Sequence, residues 1–319
     1  MIGDVLVSTP LFSALHARYP GARIDALLSM NNDFVLENDP AITRRWVYEK
    51  TPGSAISLLR NIRKERYDFV IDLMDNPSAT STVICLVAGA RWTVGIEKEN
   101  DYAYDVVVPM LSRRDTHIID RIAQLLVPFQ IRPSETPFAI HYSTSPGSEQ
   151  FADEFIRSSL PAARPIIGVN ISAGGEVRYW GRDNFAGFIA SISSSHPESV
   201  ILILHKPSDS DKALAIRDLV PSAVVSPATD SFDRFAALIR RLAVLITPDT
   251  SAVHLAGAFK VPVVVLYVQS DKSLRIWEPY GTENEVLVTD KDDLSTIPSA
   301  AVVDAFERLY ARSRKPGMS

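Results

Sequence analysis

The sequence predicts an α/β protein made of two doubly wound domains, and three observations carry that prediction. Strand-like apolar runs alternate with helical patterns along nearly the whole chain, which implies mostly parallel sheets covered on both faces. A length of 319 residues exceeds one ordinary core and suits two domains of roughly 150 residues each. The alternation is interrupted once, where Pro128, Pro133, Pro137, Pro146, Pro161 and Pro165 crowd together and residues 143–148 read as a loop. That interruption divides the chain into domains at 1–160 and 161–319.

In the first half, residues 23–29, 68–73 and 105–108 are apolar enough for strands. Helical spacing falls at 10–19, 54–66, 78–88 and 117–129. In the second half the strands are 166–170, 200–204, 243–247 and 261–267. Its helices are 184–195, 209–219, 231–241 and 250–258, with a last one at 299–312. Two such domains facing each other form a cleft at the carboxyl ends of their strands, where this architecture binds ligands. The opening is unusual. An apolar strand ordinarily precedes the first turn, yet at most three residues stand before Asp4. Either the natural chain begins earlier or a central strand is missing from the first domain.

Composition narrows the function. Hydrophobic residues make up 46% and charged residues 22%, so both halves can bury a core. The net charge of −5 disfavours a general nucleic-acid binder. The single cysteine, Cys85, sits in an apolar run and reads as a small core residue, in keeping with a reducing compartment. The apolar stretch 261–268 is far short of the roughly 20 residues that span a bilayer, and no leader is visible. These features predict a cytoplasmic protein.

Three motifs carry chemistry. In Leu245-Ile-Thr-Pro-Asp-Thr-Ser-Ala-Val-His254, a strand ends at Thr247 and Asp249 or Thr250 caps the next helix. The amides of Thr250, Ser251 and Ala252 then open from a helix N-terminus, a favourable place for phosphate, and His254 shares the face of Thr250. The bland alternative is a capped helix with a core-edge histidine. In Asn170-Ile-Ser-Ala-Gly-Gly-Glu-Val-Arg-Tyr-Trp180, the glycines permit close backbone approach and Arg178 offers a cation suited to diphosphate. Alternatively, Arg178 is a surface arginine packed on Trp180. In Ile2-Gly-Asp-Val-Leu-Val-Ser-Thr-Pro10, Pro10 suits a first helical turn capped by Ser8 or Thr9, which leaves Asp4 in the preceding loop. A carboxylate there can take a proton from an attacking hydroxyl, or Asp4 is only a turn residue.

Weaker signals are set aside. Asp209-Ser-Asp211 opens a helix, where acids serve as caps, and no metal site is expected. Arg60, Arg63, Lys64 and Arg66 read as a solvated helix end. No G-x-G-x-x-G occurs, which disfavours a dinucleotide-dependent oxidoreductase.

Taken together, the order and spacing of these motifs resemble glycosyltransferase family 9. The family's opening turn resembles residues 2–10. Its continuation is similar to Leu15-His-Ala-Arg-Tyr-Pro-Gly-Ala-Arg-Ile24, its K/R-x-W loop to Arg178-Tyr-Trp180, and its helix motif to Asp249 through Pro262. Val268-Gln-Ser-Asp-Lys272 departs from the family's pattern after that strand, and Ser251-Ala252 replaces a commoner glycine-containing pair. The resemblance implies a GT-B fold of two Rossmann-like domains: an acceptor-side domain first, then a nucleotide-sugar domain. It implies an inverting transfer from a nucleoside-diphosphate sugar, most often ADP-heptose, to a lipopolysaccharide core or other glycan acceptor. In that scheme a cation and a helix terminus do the work of a metal, so no metal or further cofactor is expected. By resemblance Asp4 is the general base, and Arg178, Asp249, Thr250, Ser251, Ala252 and His254 bind the donor. Peripheral contact with the inner membrane is left open. The competing reading is a catalytically silent family 9-like binding or scaffold protein.

Overall fold

The computed structural model describes residues 1–161 and 164–313. Two compact units emerge: Met1–Ala139 with Ser273–Trp277, and Ile140–Lys272 with Glu278 onward.

The first unit contains α1 (Ile2–Arg18), β1 (Asp25–Ser29), β2 (Arg44–Tyr48), α2 (Pro52–Glu65), β3 (Phe69–Ile71), α3 (Ala79–Val87), β4 (Trp92–Ile96), β5 (Val106–Val108) and α4 (Ile118–Ala123). A 3₁₀ stretch, Gln124–Phe129, continues α4. Every strand pair is parallel, but the strands form two sheets: β1 with β2, and β3-β4-β5.

Helix α1 corrects the reading of the opening. It starts at Ile2, so Asp4 lies in its first turn rather than in a loop, and Pro10 lies in its interior rather than at its start. Ser8 and Thr9 are therefore not caps. Every residue from Val5 to Phe12 is buried, as expected of a helix surrounded by core. Proline has no N–H for the carbonyl four residues back. The Thr9 hydroxyl donates to that Leu6 carbonyl at 2.7 Å, and Ser8 donates to the Asp4 carbonyl at 2.8 Å. Two buried hydroxyls and an interrupted helix ladder thus satisfy each other.

The second unit contains α5 (Pro146–Ser159), β6 (Ile166–Asn170), α6 (Arg182–Ser195), β7 (Val200–Leu204), α7 (Ser210–Leu219), β8 (Val224–Val225), α8 (Phe232–Ile239), β9 (Val244–Pro248), α9 (Ser251–Phe259), β10 (Val263–Val268), β11 (Asn284–Thr289) and α10 (Ser299–Ser313). Its six strands form one parallel sheet in the order β11-β10-β9-β6-β7-β8. Strands β6, β7 and β9 are buried at every position, so they read as continuous apolar runs. The chain order reverses between β6 and β9, which makes their carboxyl ends the switch point of the sheet.

The division falls at 139/140, not near 160. Within the proline-rich stretch, the residues read as a loop at 143–148 hold the start of α5, with Pro146 in its first turn and Ser145 as its cap. Asp233 of α8 accepts from the Ser145 amide at 3.0 Å, the Ser145 hydroxyl at 2.7 Å and the Tyr142 hydroxyl at 3.0 Å. These bonds tie α5 to the second unit, and those from Ser145 and Tyr142 hold the Asp233 carboxyl below its ordinary value against the opposing effect of burial.

One segment runs the other way. Ser273–Trp277 follows β10 in the chain yet belongs to the first unit. There the Arg275 amide donates to the Arg113 carbonyl and its guanidinium to the Asp115 carbonyl, each at 2.8 Å. No helix among the described residues is long and apolar enough to cross a membrane.

Candidate functional site

The switch point of the second unit is built from the ends of β6 and β9. Asn170, the last residue of β6, donates through Nδ2 to the Thr247 hydroxyl at 2.9 Å and to the Thr250 hydroxyl at 3.5 Å. Its Oδ1 accepts from the Ser172 amide at 3.2 Å, so one amide group pins both strand ends and the loop that follows.

Thr250, rather than Asp249, caps α9, accepting from the Ala252 amide at 3.3 Å. That bond, and the burial of Ala252, take its amide out of the expected cradle. The amides of Thr250 and Ser251 remain at the helix N-terminus without a protein acceptor among the described residues. His254 lies one turn further on and is only 3% exposed, within the packed side of α9. Close packing continues at Gly257, where a Cβ would stand 2.4 Å from the Tyr280 carbonyl oxygen.

The loop after β6 delivers Arg178. Trp180 is fully buried, its ring edge-on to Phe185 and Phe188 and its Nε1 donating to the Ile297 carbonyl at 2.8 Å. Trp180 is thus an anchor in the core, and Arg178 does not lie on it as a surface partner. The Arg178 guanidinium is half-exposed and stands 3.5 Å from the Asp249 carboxylate. Burial pushes the Asp249 carboxyl above its ordinary value, and the Arg178 charge opposes that shift.

Two further groups escaped the sequence reading. Asp209 precedes α7 as a cap residue would, but its side chain makes no capping bond. It accepts instead from the Ser172 hydroxyl at 2.8 Å. Lys206, after β7, reaches the Ala173 carbonyl at 3.3 Å and lies 3.6 Å from Asp209. Their position, just past the ends of β6 and β7, was the available signal. In the first unit, the Asp4 carboxylate accepts from the Met1 amino group and is about one-third exposed, 31%.

A cation, two open amides at a helix N-terminus and strand-end hydroxyls together suit an oxyanion with several oxygens. The sequence model described as glycosyltransferase family 9 (heptosyltransferase) matches residues 55–298. The chain belongs to glycosyltransferase family 9. The matched stretch includes Arg178 and Asp249 through His254, and it begins after Asp4. Lipopolysaccharide heptosyltransferase 3 of Escherichia coli strain K12 is 26% identical over 341 residues, covering 96% of this chain and 95% of that protein. The solved structure of a family 9 glycosyltransferase from Veillonella parvula DSM 2008 matches with a TM-score of 0.81 at 22% identity, covering 98% of this chain and 95% of that one. ADP-heptose lipopolysaccharide heptosyltransferase II of E. coli matches with a TM-score of 0.76 at 20% identity, covering 98% and 97%. This family 9 member is a glycosyltransferase with the GT-B class of α/β fold, as its motifs imply.

Proposed function

We propose that this protein transfers heptose from ADP-heptose to a sugar of the lipopolysaccharide core, with inversion at the anomeric carbon. The observation that carries the reading is the switch point of the second unit. There Arg178 pairs with Asp249, the residue before the Thr250 cap of α9, in a chain whose relatives include lipopolysaccharide heptosyltransferases.

The diphosphate of the donor takes the open amides of Thr250 and Ser251 and the guanidinium of Arg178. An acceptor hydroxyl attacks the anomeric carbon from the face opposite the diphosphate. As the new C–O bond forms, the bond to ADP breaks and ADP leaves with its electron pair. Asp4 takes the proton of the attacking hydroxyl. Charge developing on the leaving diphosphate meets a fixed cation and a helix dipole already in place, which is where preorganised groups lower a barrier. With those charges supplied by protein, transfer proceeds without a divalent cation.

The test is calorimetric titration of the full chain with ADP and ADP-heptose, followed by product analysis on a lipopolysaccharide core acceptor with and without chelator. Donor binding and a heptosylated product are expected. Binding without product would establish the silent-scaffold reading instead, and no binding of either nucleotide would remove the donor assignment.

A further inference from the structure

We infer that Asn170 is a positioning residue, which turns the Thr250 hydroxyl into a hydrogen-bond donor for the diphosphate of the sugar nucleotide. The inference rests on the transferase reading above and names what keeps its anion site receptive.

Asn170 is 2% exposed, so it acts through its neighbours and not by touching a ligand. The orientation of its amide is fixed by the backbone. The Ser172 N–H can only donate, and it meets one end of the side chain at 3.2 Å, so that end is the carbonyl oxygen. The NH₂ end therefore faces β9. Its hydrogens go to the Thr247 hydroxyl at 2.9 Å, with the Ser172 carbonyl at 3.3 Å and the Thr250 hydroxyl at 3.5 Å as further acceptors.

That orientation sets the direction of both threonine hydroxyls. Thr247 gives its hydrogen to the Pro248 carbonyl at 2.8 Å, which leaves its oxygen to accept from Asn170. The Thr250 oxygen is met by two N–H groups, the Ala252 amide at 3.3 Å and the Asn170 NH₂. It accepts from both, and its own hydrogen must point elsewhere. Among the described residues that hydrogen has one acceptor, the Thr247 oxygen at 3.4 Å. So long a bond is readily exchanged for the shorter, charge-assisted bond of a hydroxyl to an oxyanion, and Thr250 is only half-buried. An acceptor in the place of the Asn170 NH₂ would draw the same hydrogen inward and close the site to phosphate.

Asn170 also holds the loop after β6 through Ser172, so the test must separate orientation of Thr250 from general support. It is a double-mutant cycle on the full chain, with ADP affinity read by calorimetry and adenosine, which has no phosphate, read by saturation-transfer NMR. Asn170→Ala and Thr250→Ala should each weaken ADP binding about three- to tenfold, the scale of one hydrogen bond. In the Thr250→Ala background, Asn170→Ala should cost less than about twofold more, because its route is already cut. Adenosine affinity should be the same in all four proteins. Asn170→Asp keeps the shape and exchanges the NH₂ for an acceptor, and it serves if Asn170→Ala does not fold. It should weaken ADP binding more in the wild-type background than beside Thr250→Ala, since only the former has a hydroxyl to turn inward. Losses that simply multiply, unchanged ADP affinity, or an equal loss of adenosine binding overturn the positioning role and leave the donor assignment standing. A wild type that binds no ADP overturns the donor assignment and this role with it.

Discussion

The guanidinium of Arg178 stands 3.5 Å from the carboxylate of Asp249, joining the loop after β6 to the residue that precedes the cap of α9. Two motifs far apart in the chain meet in one ion pair, and Trp180 locks the loop that makes the meeting possible. Arg178 is half-exposed, so the pair contributes little to stability, and the guanidinium is available to an incoming anion.

Arg178→Ala should therefore weaken ADP binding by about ten- to a hundredfold, corresponding to roughly 1.5–3 kcal/mol for a charge-assisted contact. Calorimetric titration with ADP reads it directly. Unchanged affinity would take Arg178 out of the donor site.

Asp249 should leave a signature in the pH dependence of stability. Its carboxyl sits above the ordinary value of 3.8 because burial penalises the charged form. The folded chain thus binds its proton more readily than the unfolded chain, and stability falls as pH rises from about 4 through the raised value. Asp249→Asn removes that loss. The variant should melt above wild type at neutral pH, and the difference should close as the pH drops toward 4. A wild type that melts higher at pH 7 would contradict the burial argument.

For Asp4, the decisive substitution is Asp4→Asn, which keeps the shape and removes the basic oxygen. A general base lost this way lowers the transfer rate by about 10²–10⁴ while ADP affinity is retained. A rate near that of wild type would assign Asp4 to the first turn of α1 and nothing more.

Gly257→Ala tests the packing of α9. The added Cβ would stand 2.4 Å from the Tyr280 carbonyl oxygen, a backbone atom that cannot rotate away. Overpacking of this kind costs about 1–3 kcal/mol. Thermal unfolding should show a lower midpoint, and an unchanged midpoint would mean that α9 shifts freely.

The second unit was far more legible in the sequence than the first. Strands β6 and β7 appear in the structure with the predicted end residues because a parallel strand covered on both faces is a plain apolar run. Strand β11 is half-exposed and β8 has two residues, so neither makes such a run. Strand β2 opens with two arginines, and β4 is broken by Thr93 and Gly95, the latter required because a Cβ there would meet the Tyr104 ring at 2.3 Å. Helix α5 was hidden by residues that suit loops and helix starts equally, with Pro146 and Ser145 marking its first turn. At the site, Arg178, Asp249 and Thr250 were visible because each adjoins a strand end within a local motif. Asp209 was discounted as a cap because its bond to Ser172 joins segments separated in sequence. The bonds from Asn170 to Thr247 and Thr250 were invisible for the same reason: the fold alone brings β6 beside β9.

The short segment Ser273–Trp277 governs how this protein can be taken apart. The backbone passes between the two units at 139/140, at 272/273 and at 277/278. A single cut at 139/140 therefore yields no self-sufficient halves, since the amino-terminal fragment lacks the residues that engage the carbonyls of Arg113 and Asp115. A hybrid that exchanges one unit for a relative's must carry that short strip with the first unit, although the gene encodes it inside the second. An exchange at 139/140 alone would separate Ser273–Trp277 from the unit it packs with.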